Sequence, residues 1–261
     1  MRKIVLVAAL LACASGAALA QRRGFFGRAD PDIRNAAYDG RFTFVRLKYA
    51  TAPGGYWYRG MPAWAHGYPV AEQNLMRIMS EISYLGPRID NLHVMALDDP
   101  ELFKYPVAYI IEPGWWTMTD GEAAAFRTYL QKGGFVIVDD FKVRGYGGGM
   151  GGGGWENFEE QMLRVLPGAR FADITSAHPI FHSFFEIASL EHFPQAYNAG
   201  PAVFRGIHED NDPRKRLQLI INYNTDISQF WEWSGRGFRP VDDTNEAYKL
   251  GVNYVMYGLT H

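Results

Sequence analysis

The sequence is almost without cysteine, since Cys13 is the only one among its 261 residues. This cysteine lies in the N-terminal stretch MRKIVLVAALLACASGAALA, where Arg2 and Lys3 precede an apolar run that is too short for a membrane-spanning helix. The small residues Ala18 and Ala20 complete the pattern of a signal peptide, which predicts cleavage after Ala20 and an exported, periplasmic or extracellular protein. An uncleaved anchor and lipoprotein processing at Cys13 are the alternatives.

Cleavage after Ala20 removes the only thiol, so the mature chain would have no disulfide, no cysteine-ligated metal and no cysteine nucleophile. A strong excess of one charge is also lacking. The mature chain keeps 24 basic residues against 28 acidic ones, a formal charge of −4, because Arg2 and Lys3 fall in the signal peptide. The basic residues are dispersed, which excludes a nucleic-acid-binding patch. No second long apolar run follows, so no integral membrane segment is predicted in the mature chain.

Segments typical of strands and of helices alternate after a polar leader at 21–41, which predicts one α/β domain over 42–261 with a mostly parallel sheet. The runs VAYII and FVIV are continuously apolar, as in strands that are buried on both faces. Thr119 and Glu122 have the spacing of a capping box before a helix. Apolar residues at helical spacing predict another helix over 70–85. The segments AVFRGI and RLQLIINYN predict a hairpin added to the sheet near the C-terminus.

Five segments follow one another in order: LDDPELFKYPVAYIIEPG, FRTYLQKGGFVIVDDF, WENFEEQM, HPIFHSFF and LGVNYVMYGLTH. Together they resemble the exported bacterial domain-of-unknown-function family DUF4159 over about residues 42 to 261. The resemblance implies the three-layer α/β/α, flavodoxin-like fold of the class I glutamine amidotransferase-like superfamily. It also implies an association with envelope-linked systems that contain MoxR-type ATPases and von Willebrand-type domains. The glycine-rich tract at 144–154 is longer than that family's usual link, so its role does not follow from the resemblance.

Acidic residues follow several of the predicted strands. Asp139 and Asp140 end FVIVDD, Glu112 ends VAYIIE, and Asp99 follows NLHVMALD. Open parallel sheets bind ligands beyond the carboxyl ends of their strands, so these side chains could form a site for a hard divalent metal ion. Because successive side chains point to opposite faces of a strand, at most one of Asp139 and Asp140 is expected to face a given ligand. The alternative is that each acid caps a turn or helix.

His178 and His182 are four residues apart, which is a spacing of metal ligands on one helical face. The His-Pro pair begins a turn, however, and hydrogen bonding within a loop is the alternative. The glycine-rich tract has no Walker lysine, so a flexible surface loop or lid is predicted there in place of a phosphate-binding loop. An enzyme of the resembled superfamily needs a cysteine on a strained turn after a central strand. Neither cysteine nor serine occupies that position in FVIVDDF.

Aromatic residues accompany the predicted strand ends. Trp57 and Tyr58 lie in the loop after the first strand, and Trp115 and Trp116 follow VAYIIEPG. Exposed rings beside carboxylates suit the faces of sugars or a protein partner, so these four residues form a candidate contact surface. Ordinary packing is the alternative.

The sequence therefore predicts a non-catalytic binding or interaction module of the cell envelope, with an envelope protein or a glycan as partner. The alternative is a metal-assisted hydrolase of cell-wall glycan or peptide, in which acids and histidines hold a divalent ion that activates water. Convergence of Asp139 and Glu112 on a nitrogen of His178 or His182 would favour the enzyme. Acids that each cap a separate turn would contradict it.

Overall fold

The computed structural model describes residues 33–57, 60–141, 154–191, 193, 195–196 and 200–261. The predicted signal peptide, its cleavage site at Ala20, Tyr58 and nearly all of the glycine-rich tract lie outside these residues. The strands are β1 (Val45–Lys48), β2 (Ala50–Thr51), β3 (His93–Ala96), β4 (Val107–Ile111), β5 (Trp116–Thr117), β6 (Phe135–Asp139), β7 (Ala172–Asp173), β8 (Val203–His208) and β9 (Leu217–Tyr223). The α-helices are α1 (Val70–Ile82), α2 (Asp120–Gln131), α3 (Trp155–Val165), α4 (Ile227–Glu232) and α5 (Val241–Thr260). Short 3-10 helices cover Ala63–Ala65, Pro100–Lys104, Pro113–Trp115, Pro179–Phe181 and Glu209–Asn211.

Seven strands form one mostly parallel sheet in the order β3-β1-β4-β6-β9-β8-β7. The first five are parallel neighbours, whereas β8 runs antiparallel to β9 and β7 runs antiparallel to β8. The predicted hairpin is present as β8 and β9, and β9 continues the parallel part of the sheet. The two-residue strands β2 and β5 form a separate antiparallel pair, which the sequence did not predict because strands this short have no periodicity.

The chain reverses its direction across the sheet at β1. From β1 it passes through α1 to β3 on one side, and it then crosses to β4 on the other side. Such a switch point opens a crevice beyond the carboxyl ends of the two strands, and open α/β sheets bind their ligands there. The strand order alone therefore points to the carboxyl ends of β1 and β4.

Strand side chains alternate between two hydrophobic clusters, one on each face of the sheet. Within β4, Tyr109 and Ile111 belong to the first cluster and Ala108 and Ile110 to the second. Buried residues of α1, α4 and α5 complete the first cluster, and those of α2 and α3 complete the second. Because helices cover both faces, the central strands carry continuous apolar runs.

The helix ends follow the local sequence. The predicted capping box is confirmed: Thr119 Oγ1 accepts from the Glu122 N–H at 3.1 Å, and Glu122 Oε2 accepts from the Thr119 N–H at 2.7 Å. Helix α1 ends at Ile82, earlier than predicted, because the next residue adopts an extended conformation. That residue is Ser83, and its hydroxyl donates to the Met79 carbonyl in the last turn of α1 at 2.6 Å.

Two glycines bring the loop after β4 against the start of α3. A Cβ on Gly154 would lie 2.5 Å from the Gly114 Cα, and Gly154 has φ +77°. We therefore expect Gly154→Ala to lower the free energy of unfolding by more than about 1 kcal/mol in urea denaturation. Gly121→Ala is the matched control, because its Cβ would meet no atom closer than 3.8 Å. Equal losses in the two variants would contradict the close approach.

Candidate functional site

Three acidic residues and one histidine meet at the carboxyl edge of the sheet. Glu112 directly follows β4, Asp140 directly follows β6, and Asp226 lies between β9 and α4. These three residues are 5%, 6% and 1% exposed. His66 directly follows the 3-10 helix Ala63–Ala65, and its side chain is 26% exposed. The four residues come from separate segments and lie beside the switch point, and we call them the edge cluster.

Short contacts join the members of the edge cluster. His66 Nδ1 lies 2.8 Å from Glu112 Oε1 and 3.2 Å from Asp140 Oδ2. One ring nitrogen of His66 and one carboxylate oxygen each from Asp140 and Asp226 lie within 4.8 Å of one another. Trp57 closes one side, because its Nε1 donates to Glu112 Oε2 at 2.8 Å and its ring centroid lies 5.3 Å from that of His66. Such a group of donors could share one metal ion.

The backbone is left-handed where the central strands end. Glu112 has φ +48°, Asp140 has φ +63°, and Asn224, directly after β9, has φ +59°. This conformation is unfavourable by about 1–2 kcal/mol for a residue with a Cβ. The turn after β4 is held by Tyr49, whose hydroxyl donates to the Glu112 carbonyl at 2.7 Å. Strained positions that carry acidic side chains at a switch point indicate a functional site.

Three members of the edge cluster, His66, Asp140 and Asp226, have shifted pKa values. Burial, and then the charge of Glu112, raise the pKa of Asp140 to about 7. Burial, and then the charge of Asp140, raise the pKa of Asp226 to about 6. Burial disfavours the imidazolium form of His66, yet its hydrogen bonds with Asp140 and Glu112 raise its pKa to about 11. The edge cluster therefore favours positive charge at its centre.

The position of His66 depends on a buried arginine of β1. Arg46 Nη1 donates to the carbonyl oxygens of Trp64 at 2.8 Å and His66 at 3.0 Å. Its Nε donates to Glu72 Oε1 of α1 at 2.6 Å, and neither side chain is more than 1% exposed. The guanidinium also lies 4.8 Å from the centroid of the Tyr109 ring. Arg46 therefore ties the loop that carries His66 to both the sheet and α1.

Removal of this arginine should destabilise the protein strongly. Arg46→Met leaves Glu72 buried without its partner, and we expect the free energy of unfolding to fall by about 3–5 kcal/mol. The matched control is Lys104→Met, which breaks a pair with Glu101 between half-exposed side chains and should cost about 0–1 kcal/mol. Urea denaturation of both variants measures the difference. Comparable losses would show that Arg46 does not hold the structure together.

Asp139, the neighbour of Asp140, is engaged elsewhere. Its carboxylate accepts four hydrogen bonds, from the Tyr109 hydroxyl at 2.7 Å, the Asn222 amide at 3.1 Å and the backbone N–H groups of Ile227 at 3.3 Å and Ser228 at 3.0 Å. Two of these donors are the first residues of α4. Asp139 therefore anchors α4 against β6 and fixes the position of Asp226, which directly precedes that helix.

Asp99 caps its own turn, and none of its contacts within the described residues is with the edge cluster. Its Oδ1 accepts from the Glu101 N–H at 2.9 Å, at the start of the 3-10 helix Pro100–Lys104. His182 also bonds locally, with Nε2 2.6 Å from the Ser176 carbonyl oxygen and Nδ1 2.7 Å from a carboxylate oxygen of Glu186. The structure does not bring either residue to Glu112 or Asp140.

His178 pairs with a histidine that the sequence did not point to. Its Nδ1 accepts from the Ile180 N–H at 3.1 Å, which assigns its ring proton to Nε2. That Nε2 lies 3.4 Å from His208 Nε2 and donates to it. Burial, and then the charges of His208 and His261, lower the pKa of His178 to about 4. Because Nδ1 accepts from the Ile180 N–H, its lone pair is already engaged within the turn.

Because of the pairing between His178 and His208, we expect part of the protein's stability to be lost in acid. A histidine whose pKa is lower in the folded state contributes stability above its ordinary pKa near 6.5, and loses it as the pH falls through about 4. His178→Asn removes the titrating group but keeps an acceptor for the Ile180 N–H. We expect the unfolding free energy of the wild type to fall relative to this variant between pH 6.5 and pH 4. A difference that stays constant with pH would contradict the pairing.

The four candidate aromatic residues have different environments. Trp57 contacts Glu112 and His66, as described above, and Trp115 is 40% exposed. Trp115 packs against Gly54 and Gly55. The contact is close, since a Cβ added to Gly55 would lie 2.6 Å from the Cβ of Trp115. Trp116 is fully buried and stacks on Phe158 with a centroid distance of 5.4 Å. Tyr58 lies outside the described residues.

Sequence patterns did not reveal two members of the edge cluster, His66 and Asp226. His66 lies in an aromatic loop without periodicity, and its place depends on Arg46. Asp226 had one local signal, since it follows an apolar strand and precedes ISQFWE as a helix N-cap; its Oδ1 accepts from the Gln229 N–H at 2.9 Å.

The fold and the edge cluster define a mixed α/β protein with a buried group of acids and one histidine at the carboxyl edge of its sheet. Over residues 43–259 the chain matches the family described as Domain of unknown function (DUF4159). The chain belongs to the DUF4159 family, as the sequence segments suggested. No curated protein matches the chain. Within the described residues, every helix is too short or too polar to cross a membrane.

Proposed function

We propose that this protein is an exported, non-catalytic binding module of the cell envelope and that its ligand carries positive charge. The observation that carries the proposal is the convergence of Glu112, Asp140 and Asp226 on His66 beside the switch point. Three buried carboxylates surround one imidazole, and Arg46, the buried cation nearby in the fold, is already paired with Glu72. A positively charged group beside His66 would balance this excess of negative charge.

The proposal includes a three-layer, flavodoxin-like architecture of the class I glutamine amidotransferase-like superfamily. The parallel strands β3-β1-β4-β6-β9, renumbered along the chain, have the order 2-1-3-4-5 that is typical of flavodoxin-like sheets. At the turn after β6, where an enzyme of that superfamily needs a nucleophilic cysteine, the chain has Asp140. This substitution supports a binding role in place of amidotransferase chemistry.

Export to the periplasm or cell exterior is proposed from the N-terminal sequence. The positive residues, the apolar run and the small residues before the cleavage site at Ala20 support it. The rest of the chain contains no cysteine, so export would not expose a thiol to an oxidising compartment.

A metal-assisted hydrolase of cell-wall glycan or peptide is the second candidate. The contact of 2.8 Å between Glu112 Oε1 and His66 Nδ1 favours it, because a carboxylate beside a metal ligand can act as a general base towards bound water. The acids converge on His66 in place of His178 or His182. Turnover of peptidoglycan fragments that is lost in Glu112→Gln would support this candidate.

The binding proposal is tested by the melting temperature of the purified protein with cationic ligands: divalent metal ions, polyamines, amino sugars and basic peptides. At least one class should raise the melting temperature by about 2 °C or more at saturating concentration. Asp140→Asn should abolish the increase. Asp99→Asn is the matched control, because it removes the same charge from a turn outside the edge cluster and keeps a capping side chain. If no cationic class shifts the melting temperature, the proposal is wrong.

A further inference from the structure

We infer that the positively charged ligand is a divalent transition-metal ion held by His66, Asp140 and Asp226. The inference rests on the proposed function, since it names the ligand of the same site.

The first support is the spacing of the donor atoms. The nitrogen of His66 and the oxygens of Asp140 and Asp226 lie within 4.8 Å of one another. Metal–nitrogen and metal–oxygen bonds of about 2.0–2.2 Å place the donors of a tetrahedral ion about 3.3–3.6 Å apart. The most widely separated pair of donors would therefore need to approach by up to about 1.5 Å, which side-chain rotation can supply.

The second support is an unsatisfied oxygen of Asp226, which is only 1% exposed. Its Oδ1 accepts from the Ser228 hydroxyl at 2.8 Å and from the Gln229 N–H at 2.9 Å. Among the residues that the structure describes, no hydrogen-bond donor reaches its Oδ2. A buried carboxylate oxygen without a partner is unfavourable, and a metal ion would satisfy it.

Burial favours a metal ion over an organic cation. The carboxylates of Asp140 and Asp226 are almost inaccessible, so a single ion fits between them where an ammonium group on a chain would need a wider opening. One imidazole with two carboxylates is a donor set of intermediate hardness, which suits Mn²⁺ or Zn²⁺ better than Ca²⁺. Three protein donors also leave coordination positions for water or a further ligand.

Glu112 has the position of a group that orients the metal-bound imidazole. Its Oε1 lies 2.8 Å from His66 Nδ1, and Trp57 Nε1 holds its other oxygen at 2.8 Å. A carboxylate that accepts from the ring N–H of a metal-ligating histidine fixes the ring and increases its basicity, so in this role Glu112 leaves Nε2 of His66 for the metal ion. Glu112 is therefore a positioning residue, and Glu112→Gln should weaken metal affinity less than loss of a direct ligand does.

Isothermal titration calorimetry of the chelator-treated protein tests the inference with Zn²⁺, Mn²⁺, Mg²⁺ and Ca²⁺. We expect one ion per chain, with Zn²⁺ bound more tightly than Mn²⁺ and Mg²⁺ the weakest of these three. His66→Gln and Asp226→Asn should each reduce affinity for Zn²⁺ by at least about tenfold. Asparagine keeps the N-cap of α4, so circular dichroism should show Asp226→Asn folded. The control variants His182→Gln and Asp99→Asn should bind as the wild type does.

Three outcomes overturn the inference, and they affect the proposed function differently. Zn²⁺ binding that survives both His66→Gln and Asp226→Asn places the ion elsewhere. Stabilisation by a polyamine, amino sugar or basic peptide without metal binding refutes the metal and keeps the binding module. If no cationic ligand binds, both the metal and the proposed function are wrong.

Discussion

Buried carboxylates at one edge of the sheet determine how the surrounding helices and loops are held. A buried carboxylate is stable only if donors or positive charge surround it. Asp139 receives four donors and thereby fixes α4. Glu112 accepts from Trp57 through Oε2, and its Oε1 lies 2.8 Å from His66 Nδ1, so the aromatic loop lies over the strand ends. Asp226 keeps one oxygen without a donor in the described structure, and a bound metal ion would contact that oxygen.

A single network links this edge to the core below it. Arg46 holds the carbonyl of His66, pairs with Glu72 of α1 and lies over the Tyr109 ring. The Tyr109 hydroxyl donates in turn to Asp139, which anchors α4. Helices on one face of the sheet and the loops at its edge are therefore fixed by the same few buried polar groups. Buried polar groups stabilise a structure most when all of them are satisfied, so a ligand that contacts Asp226 Oδ2 would complete this network.

Local sequence rules predicted the parts of the structure that local physics decides. Continuous apolar runs identified β4 and β6, and the positions of Glu112 and Asp140 followed from where those runs end. Asp139 and Asp140 do have separate partners, but Asp140 follows β6 in a left-handed turn, so the strand alternation assumed from the sequence is not the cause. His66 and Asp226 escaped prediction because long-range contacts bring them to the edge. The four-residue spacing of His178 and His182 did not place their side chains on one face. Their segment folds as a short 3-10 turn, in which a four-residue interval does not align side chains.

Anomalous X-ray diffraction from crystals of the Zn²⁺-loaded protein, collected on both sides of the zinc absorption edge, would show whether the edge cluster is a metal site. We expect one zinc-specific peak within about 2.0–2.2 Å of donor atoms of His66, Asp140 and Asp226, with Asp139 still bound to the start of α4. A zinc peak that lies only on other residues, or an edge cluster filled by a non-metal ligand, would contradict a metal site there.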